Sequence, residues 1–179
     1  MRNLLDRFYG LSLGLAAIFL FAICVIVLAQ VGCNIFNSIL KMTTGTAGDY
    51  TIPSYAEFAG FFLAASSFLA LAGTFRGGAH IRVSLILMQL SDPVRRVFEA
   101  IAVLLGLVMA SYLCYYLAAL MYESYEYGDM SPGIVPVELW IPQSALVLGT
   151  AVFSISLFDS FIQILKGAVR AHPDGGELE

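Results

Sequence analysis

Four stretches of this chain of 179 residues contain no charged side chain, and that absence limits the fold more than any motif does. Phe8 to Leu40 is 33 residues, Phe58 to Phe75 is 18, Ala100 to Tyr122 is 23 and Leu139 to Phe158 is 20. A helix rising ~1.5 Å per residue crosses a hydrocarbon core of about 30 Å with about 20 apolar residues. Lipid offers the backbone no hydrogen bonds, so each stretch is expected to be a helix. Composition agrees. Charged residues make up 12% of the chain, whereas a soluble domain needs about 25% to coat its wet surface. The expected fold class is an all-α integral membrane protein with four transmembrane helices. The expected spans are about 9–31, 57–75, 97–122 and 139–161, in a single membrane domain over 1–170, with a short polar tail at 171–179.

The first run is too long for one crossing. Its membrane part is expected from Tyr9 to Val31, with Gly32 to Met42 projecting as an amphipathic extension. Arg2 and Arg7 before an apolar run resemble a secretory signal, but the run far exceeds the 7–15 residues of a signal core, so it reads as a retained first helix.

Charge placement gives the orientation. The segment before the first span, the connection between the second and third, and the tail after the fourth hold eight of nine basic residues. They also hold seven acidic ones, for a net of +1, while the other side holds Lys41 against six acidic residues, a net of −5. The positive-inside rule then places both termini in the cytoplasm. Six of nine tyrosines lie between Tyr112 and Tyr127, and Trp140 opens the last span. Such rings anchor helices at headgroup level; stacking on a ligand is the other reading.

Helices in lipid associate through small residues that let backbones approach. Ala102, Gly106, Ala110, Cys114 and Ala118 recur every fourth position on the third span. The first span carries Gly10-x-x-x-Gly14, the fourth carries Ala145-x-x-x-Gly149, and the second is rich in small residues throughout. These faces serve packing inside the chain or contact with a second membrane protein. Between the second and third spans, 79–91 reads AHIRVSLILMQLS, too short to span. Two polar stripes separated by apolar ones suit a short helix lying in the interface; a lone strand there would leave its backbone unpaired. Arg76, Arg82, Arg95 and Arg96 are candidates for anionic headgroups, each worth ~1 kcal/mol near a charged surface.

Catalytic and ion-coupling sites in lipid show as ionisable residues within spans. The first three spans have none centrally. Asp159 is the nearest candidate, either paired with a cytoplasmic Arg or Lys or binding a proton or cation. Glu57 opens the second helix and suits the positive end of its dipole. His80 and His172 are the two histidines, both outside the spans, which argues against a bis-histidine haem. The three cysteines have neither metal nor CxxC spacing. No enzymatic activity, cofactor or nucleic-acid partner is expected.

From Glu57 through Val83 the pattern becomes specific: an acidic residue opens the helix, a small-rich run follows, and then comes Arg76-Gly77-Gly78-Ala79-His80-Ile81-Arg82-Val83. This resembles the small permease (DctQ-like) subunit of tripartite ATP-independent periplasmic (TRAP) transporters, in which an Arg closes the second helix before a His-Ile-x-Val signature. Gly133 to Gly149, with Trp140, is similar to that family's entry into its fourth helix. Ser84 departs from the Asp that often follows the signature there. The resemblance implies an inner-membrane scaffold subunit. Its partners would be a large permease that moves an organic acid on an ion gradient, usually sodium, and a periplasmic substrate-binding protein. A self-assembling four-helix exporter and the membrane anchor of a redox complex are the alternatives. The candidate contacts to the large subunit are Ala102, Gly106, Ala110 and Ala118, together with the 79–91 segment.

Overall fold

The computed structural model describes residues 2–46, 48–76 and 92–166, with side chains from Arg7 onward in the first helix and from Pro93 in the third. The expected interfacial helix at 79–91, His80, Arg82 and the polar tail lie outside the described residues. Four helices follow one another: α1 (Arg2–Thr44), α2 (Tyr55–Arg76), α3 (Asp92–Tyr127) and α4 (Trp140–Leu165). All four are long and apolar enough to cross a membrane. Among the described residues there is no strand, only an isolated bridge between Met130 and Glu138.

Local chemistry explains the helix ends. Gly45 takes the left-handed conformation (φ 72°) that closes α1, and its N–H bonds the Lys41 carbonyl at 3.1 Å. Ser54 follows Pro53 with φ 56°, and its carbonyl receives the N–H groups of Glu57 and Phe58 at 3.0 and 3.1 Å, starting α2. Pro93 occupies the first turn of α3, where its missing N–H costs nothing. Gly128 (φ 65°) lies just past the end of that helix.

α1 is unbroken over 43 residues, ~65 Å of helix, so the span and its extension form one rod. α3 runs 36 residues and α4 26, reaching further than the expected spans at several ends.

The helices form an open row. α1 packs on α2, α2 on α4, and α4 on α3; α1 meets α4 only slightly, and no packing seam joins α1 to α3. The flanking helices therefore bury less than the central pair. The buried residues of the two central helices are mostly small, with Ala65, Ser66 and Ala72 on α2 and Gly149, Thr150 and Ser156 on α4. Gly149 sets the distance, because a Cβ there would meet the carbonyl carbon of Phe68 at 2.5 Å and the Leu69 nitrogen at 2.8 Å. Backbone-to-backbone contact of this kind is how helices gain dispersion energy in lipid, where burial of apolar surface drives little.

Candidate functional site

Two polar assemblies tie the row together, one at each end. At the end where α1 begins and α2 and α4 finish, Arg76 is the last residue of α2. Its Nη2 forms an ion pair with Asp159 Oδ2 of α4. The Arg76 side chain is 11% exposed and that of Asp159 25%. Gln163, one turn along α4, donates to the same Asp159 oxygen at 2.8 Å. The guanidinium carbon also lies 4.3 Å from the centroid of the Tyr9 ring of α1, a cation–π contact worth about 0.5–2 kcal/mol. Three helices thus converge on one guanidinium. Tyr9, Ala72 and Val152 form the buried cluster just inside it, with Phe153 packed alongside. Phe153 also meets Phe75 edge-on at 5.8 Å. One turn deeper, Ser12 Oγ donates to the Leu69 carbonyl at 2.6 Å.

At the other end, side chains clamp the loops. Gln30 Nε2 donates to Thr51 at 3.2 Å, and its Oε1 accepts the Ile52 N–H at 2.9 Å. Asn37 bonds Tyr50 twice, donating to its carbonyl at 2.7 Å and accepting its N–H at 3.1 Å. The loop between α3 and α4 folds on itself through Ser131 and Val137. It docks on α2 where Ser54 Oγ accepts the Val135 N–H at 3.0 Å. The Glu57 carboxylate lies against Gly133, leaving no room for a side chain at that glycine. Gln143 donates to Ser124 at 3.0 Å, joining α4 to α3. Trp140 donates to Glu138 at 2.6 Å and meets the Tyr125 ring at 5.8 Å, perpendicular.

Several residues singled out in the sequence therefore have definite places. Glu57 faces the loop between α3 and α4 as well as its own helix terminus. Asp159 is paired with Arg76 rather than open to a cation. Arg76, a candidate for lipid headgroups, pairs with Asp159 and lies over the Tyr9 ring, because its position at the end of α2 points it between α1 and α4. Arg95 pairs with Glu99 at 3.1 Å, and Arg96 is exposed. The third-helix stripe takes part in packing within the chain. Gly106 lies 3.8 Å (measured from its would-be Cβ) from Leu157 of α4. Ala110 is buried, and Cys114 Sγ is 4.0 Å from the Val147 carbonyl. The chain's own α4 lies against that stripe at Gly106 and Cys114, so part of it packs inside the chain. Ala118 is half-buried and Ala102 exposed on the same helix. Sequence reasoning missed Tyr9, Gln30 and Asn37; a polar residue inside or just beyond an uncharged run is the only signal they leave.

No group of three or more potential metal ligands exists among the described residues. The polar groups serve helix–helix and helix–loop contacts. Residues 46–167 match the family described as tripartite ATP-independent periplasmic transporters, DctQ component. The chain belongs to the DctQ family. It is a membrane component of a transport system, the small membrane subunit of a TRAP transporter, from a family of transporter components rather than enzymes. The matched region includes the loop between α3 and α4 and both residues of the Arg76–Asp159 pair, while Gln30 and Asn37 lie before it. No curated protein matches the chain.

Proposed function

We propose that this DctQ chain is a stationary scaffold. On this reading it holds a large permease partner at fixed depth and tilt while that partner moves an organic acid into the cell on an ion gradient, usually of sodium. A periplasmic binding protein delivers the substrate, and both termini of this chain lie on the cytoplasmic side of the inner membrane. The observation that carries the reading is the unbroken, mutually tied helices. Transport sites at membrane depth are typically built from interrupted helices and ionisable groups set within the spans. Here the helices are continuous, and the ion pairs Arg76–Asp159 and Arg95–Glu99 lie toward helix ends with their charges closed on each other. Such a row resists deformation and offers broad apolar flanks.

Reconstitution tests it. Proteoliposomes containing this chain and the large permease, supplied with the binding protein, should accumulate a labelled organic acid when a sodium gradient is imposed. Omitting this chain should abolish uptake, and the chain alone should transport nothing. Uptake by the large permease at an undiminished rate without this chain would overturn the reading.

A further inference from the structure

The first helix rises well beyond the level at which its neighbours begin. Gln30 of α1 is bonded to Thr51 and Ile52, just outside the start of α2 at Tyr55. Nearer the opposite end, Tyr9 meets Arg76 and Ser12 meets Leu69. α1 is therefore held alongside α2 over the whole length of α2 and cannot tilt independently into the bilayer. Ile39 and Met42 lie about 13 and 18 Å past Gln30 along the helix. The headgroup layer on each side is only about 6 Å deep. With Gln30 placed at the edge of the hydrocarbon core, these side chains stand beyond the reach of lipid, yet Ile39 is 55% exposed and Met42 87%.

Most of the exposed apolar side chains of the projecting part, with two from the span below, share one face. Cys24, Leu28, Val31, Ile35, Ile39 and Met42 are all exposed. At about 100° per residue they fall within an arc of about 80°. The chain's own loop does not cover them. Gly48 to Ile52 packs on the opposite side of the rod, against Asn37 and Leu40. Toward the other end of α1 the same side carries Gly10 and Gly14, neither of which has a neighbour within 4 Å of a would-be Cβ. They open a shallow groove lined also by Arg7 and Ile18. A Gly-x-x-x-Gly groove admits a closely approaching helix, and an apolar helical face above it suits the same helix continued upward.

We propose that this face of α1, from Gly10 to Met42, is the seat of one long transmembrane helix of the large permease subunit, which emerges from the bilayer alongside α1. The proposal rests on the scaffold reading above. Continuity of the face through membrane depth selects a membrane-embedded occupant over the soluble binding protein. A second copy of this chain fits poorly. All copies insert the same way, so a parallel pair on this face would bring Arg7 against Arg7, and like charges across an interface cost affinity.

The test uses the full chain co-expressed with the large permease and purified in lipid nanodiscs. Ile39→Glu and Met42→Glu, both outside the bilayer and exposed, should leave the thermal melt of the isolated chain unchanged. They should reduce the co-purified large subunit about tenfold or more, as for loss of a core interface anchor. Ile134→Glu, exposed on the other outer loop, should leave co-purification intact. A photo-crosslinker at position 39 should capture the large subunit. Unchanged co-purification in both glutamate variants, or a crosslink to a second copy or to the binding protein, overturns the assignment of this face while leaving the scaffold reading in place. If the unaltered chain fails to co-purify with the large subunit, both fall together.

Discussion

Arg76 and Asp159, 83 residues apart in the chain, form an ion pair that joins the end of α2 to α4. The Tyr9 ring beneath the guanidinium brings α1 into the same contact. Both charged groups are mostly withdrawn from water, so each is strongly disfavoured without the other. Asp159→Asn should lower the stability of the chain in detergent by about 2–4 kcal/mol. Replacing both partners, Arg76→Gln with Asp159→Asn, should recover part of the loss. Thermal unfolding of the four members of the cycle gives the coupling; strictly additive losses would show that the pair does not act as a unit.

Gly149 is where α4 touches the backbone of α2, with Phe68 and Leu69 leaving no room for a methyl group. Gly149→Ala should push the two central helices apart and destabilise the fold by about 1–3 kcal/mol. Gly14→Ala, at a position open on every side, should change the melting behaviour of the isolated chain little. Equal melts for the two variants would contradict the packing described.

The outer loop gives a compensating pair. A side chain at Gly133 would overlap the Glu57 carboxylate and approach Ser54 Oγ to 2.7 Å. Gly133→Ala should therefore lift the loop between α3 and α4 and speed its cleavage in limited proteolysis. Glu57→Ala added to Gly133→Ala should restore part of the resistance, since it removes the nearer obstructing group and leaves Ser54. Unchanged cleavage in the single variant would place the loop elsewhere.

The small stripe of α3 is occupied by α4 at Gly106, near Leu157. Gly106→Leu should cost about 1–3 kcal/mol in the isolated chain through overpacking. Ala102→Leu, on an exposed part of the same helix, should be nearly neutral. Measured in the absence of any partner, this contrast separates packing inside the chain from contact with another subunit.

Much of this arrangement was legible in the residues. Four uncharged runs became four helices, and Pro93, Gly45 and Gly128 mark boundaries through backbone preferences that act locally. Asp159 was readable as one half of an ion pair, though Arg76 looked equally suited to headgroups. Its partner could not be chosen from sequence, because several basic residues share that end of the molecule. The Gly106–Ala110 stripe was legible as a contact surface, but whether α4 or another protein fills it was not.

The sequence by itself determined the four long helices, the family and the uneven division of charge. Each of these follows from local backbone chemistry, or from the cost of placing a charge in lipid. The tertiary structure alone decided that the helices stand in the order α1, α2, α4, α3, that Gly149 carries the closest approach, and that Arg76 closes on Asp159 and Tyr9. The reason is physical. In a soluble helix, apolar periodicity marks the buried side; in lipid nearly every side is apolar, so that mark disappears. Which faces meet then depends on the shapes of small residues and on polar groups finding one another across the row, and those matches exist only once the helices are assembled.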